Sequence, residues 1–160
     1  MSGEILMLDE PESEPAPPLE FFVPGLPQPQ GSKSSFAIRN KAGDFRGVNT
    51  TESNKKTKPW RADVKAFAME AMAGQSLWQG PLCVHLDFIL YRPLSLPKTK
   101  PTPPCTKKPD WEKLARAVGD ALTGTVWCDD VQVVEGHVTK RTAELGEATG
   151  VFVRVTRLSL

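Results

Sequence analysis

The stretch KPDWEKLARAVGDALTGTVWCDDVQVV, residues 108–134, decides how the chain folds. Leu114, Ala117, Val118, Ala121 and Leu122 recur at three- and four-residue steps, which predicts a helix over 111–122 with one buried stripe. Glu112, Arg116 and Asp120 fall on the opposite stripe at four-residue steps, where neighbouring charges can pair. Asp110 follows a proline and precedes the first turn, the usual place of an N-cap. The sequence TGT then marks a turn, and Val126 to Lys140 reads as a strand.

The same stretch holds four carboxylates: Asp110 and Glu112 at the helix start, Asp129 and Asp130 beyond its end. A purely structural reading exists for each. Asp110 caps, Glu112 favours the positive end of the helix dipole, Arg116 pairs with Glu112 and Asp120, and the Asp-Asp pair ends a loop or begins a strand. The chemical reading brings Asp110 and Glu112 together with one member of the pair, since successive strand residues face opposite sides. Three converging carboxylates repel one another unless a cation sits among them, and oxygen donors of this kind suit Mg2+, with Mn2+ as a substitute, rather than zinc. Such an ion activates water and offsets phosphoryl charge. Arg116, one turn from Glu112, is placed to stabilise the added negative charge of a transition state.

Charge distribution fits a polyanionic partner. Residues 1–20 carry six acids and no Lys or Arg; the remaining 140 carry 20 bases against 13 acids, a net of +7. Residues 1–19, rich in Pro and Glu, read as a disordered acidic tail. From Gly31 to Arg61 there are eight bases and two acids in a polar segment without clear periodicity, read as a basic loop. Lys33 and Arg39 of this loop are candidate DNA contacts. Phe36 and Phe45 within it read as anchors to the core, stacking on bases being the alternative. Arg92 to Lys108, RPLSLPKTKPTPPCTKK, is a Pro- and Lys-rich loop whose Lys98, Lys100, Lys107 and Lys108 project toward the same kind of partner.

The other elements follow from pattern. Glu20–Gly25 is a short strand stopped by Pro-Gly; Trp60–Ala73 is a helix with Val64, Phe67, Ala68, Ala71 and Met72 on one face. Pro81–Tyr91 alternates, with Leu82, Val84, Leu86, Phe88 and Leu90 to one side and His85 and Asp87 to the other. Thr149–Leu158 is a last strand, a candidate hairpin partner for the strand from Val126.

Cys83, Cys105 and Cys128 are widely spaced and lack a C-x-x-C, which argues against a disulfide framework or a zinc site. Cys83 and Cys128 read as core residues. His85 and His137 read as isolated, without the partners a metal site or a nucleophilic triad needs. No apolar run approaches the roughly 20 residues that span a bilayer, and no secretory signal is evident. A cytoplasmic protein without membrane attachment is expected.

Residues 108–140 resemble the signature of the RusA-type Holliday-junction resolvases: an Asp-x-Asp, a helix, Asp-Ala-Leu, a small turn, an aromatic residue and Asp-Asp-x-Gln-Val. The pieces here are Asp110-Trp111-Glu112, Asp120-Ala121-Leu122, Trp127 and Asp129-Asp130-Val131-Gln132-Val133. Glu112 stands where the pattern has Asp, and Arg116 where it has Lys. The resemblance implies an α+β fold: one small domain over 20–160 with a mixed β-sheet packed against two main helices. It implies a homodimer, whose two-fold axis suits the paired strands of a four-way junction, and Mg2+-dependent cutting of such junctions in recombination and repair. It implies that Asp110, Glu112 and the second of the pair, Asp130, are the catalytic metal ligands, with Arg116 beside them. The readings kept open are a nuclease of the same chemistry on other branched or single-stranded DNA, and a non-catalytic junction-binding protein.

Overall fold

Alternation of apolar side chains sets the sheet, and two amphipathic helices cover it. The computed structural model describes residues 15–31, 33–52 and 54–159. Its elements, in order, are β1 (Leu19–Pro24), β2 (Lys33–Arg39), β3 (Phe45–Glu52), α1 (Thr57–Met72), β4 (Leu82–Leu90), α2 (Trp111–Leu122), a 3-10 turn (Asp130–Gln132), β5 (Val133–Thr142) and β6 (Gly150–Arg157). Four strands form a mixed sheet in the order β1-β6-β4-β5. β6 is antiparallel to both β1 and β4, whereas β5 runs parallel to β4 along the sheet edge. The fold is α+β, with a mixed sheet and two helices.

One face of the sheet is the core. Leu82, Val84, Leu86, Phe88 and Leu90 of β4 and Val151, Val153 and Val155 of β6 meet Trp60, Val64, Ala68 and Met72 of α1 and the predicted stripe of α2. Burying an aliphatic side chain of this size contributes about 1.5–3 kcal/mol relative to exposure, so the face that carries them is fixed. The other face carries Cys83, His85, Asp87 and Ile89 of β4 beside Glu135, His137, Thr139 and Arg141 of β5.

Four readings of the sequence are corrected here. The segment taken as an irregular basic loop contains the β2–β3 hairpin. Its Phe36 and Phe45 do not anchor to the core: they are 62% and 63% exposed, with Ile38 and Val48 also open to solvent. The last two strands are not a hairpin, because β4 lies between β5 and β6. The strand expected from Val126 begins only at Val133, after the 3-10 turn. Of the expected tail, residues 1–14 lie outside those described, and Leu19 is already the buried start of β1. No helix among the described residues is long and apolar enough to cross a membrane.

The β5–β6 crossover is braced by Arg141 donating to Glu147. That bond, with the Glu144 backbone N–H, holds the Glu147 carboxyl down at about 2. The brace is intact at neutral pH and is given up as pH falls from the usual carboxylate range through 2. At the start of β6, Gly150 packs so closely on β1 that a Cβ there would meet the Val23 carbonyl oxygen at 2.2 Å. Gly150→Ala is expected to lower stability by about 2 kcal/mol or more, read as a lower urea midpoint with unchanged slope.

Candidate nuclease site

Helix α2 positions most of the site. Its buried residues, Leu114, Ala117, Val118, Ala121 and Leu122, leave Glu112, Arg116 and Asp120 on the solvent side. Asp110 occupies the N-cap position, in extended backbone conformation, but its side chain makes no capping hydrogen bond. Its exposed carboxylate lies 3.8 Å from Lys113 Nζ. Arg116 donates from Nη2 to Glu112 Oε1 at 2.8 Å, an exposed pair one turn apart. Asp120 faces Arg61 of α1 at 3.8 Å.

The aspartate pair divides its work. Asp129 caps the 3-10 turn: its carboxylate accepts from Val131 N at 3.1 Å, and Gln132 Oε1 accepts from Asp129 N at 3.0 Å. The other end of Gln132 donates to the Trp78 and Gly80 carbonyls, tying the turn to the approach to β4. Asp130 instead turns its carboxylate into a groove of about 240 Å3 shared with Ala115, Arg116, Asp120 and Val138. There Asp130 Oδ1 accepts from Thr123 Oγ1 and, at 3.3 Å, from the buried Trp127 indole N–H. Gly124 turns the chain back after α2 with φ of 78°, a conformation that favours glycine, which brings Trp127 and Asp130 under the helix end.

The acids therefore string out along α2. Asp110 and Glu112 stand at its N-terminal end, and Asp130 is bound to Thr123 at its C-terminal end. Twelve residues of helix span about 18 Å. The expected meeting of all three carboxylates in one ligand shell is not present in this arrangement. Among the described residues, the group of three donors that does lie within 4.8 Å is Cys83, His85 and His137. A hard divalent ion is fitted in part: Asp110 and Glu112 are exposed oxygen donors whose partners are single surface cations, whereas Asp130 is held apart by two neutral donors.

The sequence model of the endodeoxyribonuclease RusA family matches residues 24–156. The chain belongs to the RusA family. No curated protein matches it. Membership makes this a chain of an endodeoxyribonuclease family, and the match takes in β2 to β5, both helices and β6 up to its last residue, but only Pro24 of β1.

Of the residues expected from sequence to contact DNA, Lys98, Lys100, Lys107 and Lys108 are all exposed on the loop between β4 and α2. Arg39, also exposed, donates to the Gly43 carbonyl across the hairpin turn. The Lys33 side chain lies outside the described residues. Lys107 and Lys108 line a cavity of about 690 Å3 with Leu26, Pro29, Tyr91 and Pro104. Two cations that carry the loop were not singled out from sequence. Lys140 of β5 donates to the Lys107 and Pro109 carbonyls at 2.7 and 2.9 Å. Arg92 binds Thr102 Oγ1 and the Pro97 carbonyl. Lys140 was legible only as a strand residue, since its partners are backbone atoms far away in the chain.

Lys140 thus holds the segment that delivers Asp110. Charged hydrogen bonds of this kind are worth about 1.5–3 kcal/mol each. Lys140→Met is expected to speed amide exchange over 106–111 by at least about tenfold while leaving β4 and β6 protected, measured by hydrogen–deuterium exchange.

Proposed function

We propose that this RusA-family protein is a divalent-metal-dependent endonuclease that resolves four-way DNA junctions by symmetric phosphodiester hydrolysis, acting in recombination and repair. The observation that carries the reading is the family match together with the placement of its signature acids. Asp110, Glu112 and Asp130 all reach solvent along the open side of α2, beside a lysine-rich loop, while Asp129 is spent on capping.

Asp110 and Glu112 would hold Mg2+ or Mn2+ with water and a phosphate oxygen completing the shell, since Mg2+ commonly uses one or two carboxylates. Bound there, the ion supplies an activated water and neutralises phosphoryl charge. Arg116 is free to exchange Glu112 for a phosphoryl oxygen: its guanidinium is already at the edge of the groove, and planar donors suit phosphate. Asp130 completes the acidic set. Its Oδ1 is held by Thr123 and Trp127, so sharing an ion with Asp110 calls for movement of the Asp130 side chain. Lys98, Lys100, Lys107, Lys108, Lys33 and Arg39 bind the phosphate backbone. A homodimer in the cytoplasm, presenting two such sites about a two-fold axis, matches the two strands to be cut.

Cleavage of a labelled four-way junction in Mg2+ is the direct test. Asp110→Asn and Glu112→Gln are expected to lower cleavage by at least about 10³-fold while junction binding in metal-free buffer is retained. Asp130→Asn is expected to do the same, and Asp129→Asn much less. Intact cleavage by Asp130→Asn would confine the metal set to the helix start; intact cleavage by Asp110→Asn would reject the mechanism. Replacing both Lys107 and Lys108 by Ala should flatten the salt dependence of binding by about two units of log–log slope.

A further inference from the structure

On the sheet face away from the helices, the cluster named above is made by strand register. His85 and His137 are direct partners in the parallel β4–β5 ladder, and Cys83 lies two residues before His85 on the same face. The imidazole centroids are 4.4 Å apart with rings tilted by 44°. Cys83 is buried, His85 half-buried and His137 exposed, so the thiol forms the floor and the imidazoles the rim of a site open to solvent.

We propose that Cys83, His85 and His137 bind a zinc-class divalent cation, a site separate from the carboxylates of α2. The donor set is one sulfur and two imidazole nitrogens, which favours Zn2+ or Co2+ and rejects Mg2+. Tetrahedral zinc at ordinary bond lengths places such atoms about 3.3–3.6 Å apart; they already lie within 4.8 Å, a gap that small side-chain rotations close. Glu135, opposite Cys83 in the ladder, bonds His137 Nε2 at 3.1 Å. With Nε2 donating to that carboxylate, Nδ1 carries the lone pair for the metal, the arrangement by which carboxylates orient ligating histidines. Three protein donors leave a fourth position for water. The bound ion would tie edge strand β5 to β4.

The surroundings support a cation. Glu135 and Asp87 flank the cluster, Asp87 accepting from Thr139. Arg154, opposite His85 on β6, pairs with Glu20 at 3.2 Å.

The test is a Co2+ titration of reduced, tag-free, full-length protein, followed by optical absorption. A thiolate-to-cobalt charge-transfer band with tetrahedral ligand-field bands is expected, saturating at one equivalent per chain and bleached by Zn2+ but not by Mg2+. Cys83→Ser should abolish the charge-transfer band, His137→Gln should weaken binding by more than about 100-fold, and Glu135→Gln by about 10–100-fold. Cys128→Ser, which alters an exposed thiol, should keep the band. Zn2+ should raise the melting temperature of the parent protein and not that of His137→Gln, which also serves if Cys83→Ser fails to fold. Absence of a thiolate band in the parent protein overturns the proposal. So does a band that survives Cys83→Ser or disappears with Cys128→Ser. Carboxylates give no such band, so binding at α2 cannot mimic it.

Discussion

The seating of α2 on the sheet is the constraint from which the rest follows. Five apolar side chains occupy one stripe and are buried, and this leaves no rotational freedom to the polar residues on the other stripe. Glu112, Arg116 and Asp120 are set outward by the same burial that stabilises the domain. Removing any large member of the stripe would cost core packing and also turn the site residues, so stability and chemistry share one helix.

Local pattern made most of this fold legible. The α2 boundaries, 111–122, follow directly from its apolar spacing, and β4 follows from strict alternation between Leu82 and Leu90. What escaped is non-local. Nothing in β5 or β6 alone says that β4 passes between them, and a parallel edge strand cannot be told from half a hairpin by its residues. The basic hairpin was hidden because Phe36, Ile38, Phe45 and Val48 are apolar yet exposed, so their pattern does not report a core. Cys128 was misplaced for the related reason that its apolar neighbours, Val126 and Trp127, are buried while it is exposed.

The candidate site was legible as a set of residues but not as a geometry. Sequence spacing identified Asp110, Glu112, Arg116 and the aspartate pair. Only the folded structure divides Asp129, a cap, from Asp130, which faces the groove and is held there by Thr123 and Trp127. The histidines illustrate the opposite error. His85 and His137 are 52 positions apart and look isolated in the sequence, yet the β4–β5 register makes them neighbours. The two sets of donors differ in kind: exposed oxygens beside α2 suit a hard, hydrated ion, whereas sulfur and imidazole on the far face suit a borderline-soft one.

The β4–β5 ladder shifts register between Leu82 and Cys83, so Val134 is left over between Val133 and Glu135. That surplus residue acts as a parity switch for the whole edge strand. It lets Val133 pack inward while Lys140 still reaches the loop before Asp110 and His137 still looks outward. Loss of Val134 would preserve both faces, because the remaining pairing is already regular. Gain or loss of one residue between Glu135 and Lys140 would exchange them, sending an imidazole toward the helices and a lysine into solvent. Length variation among relatives should therefore be forgiven before Glu135 and forbidden after it.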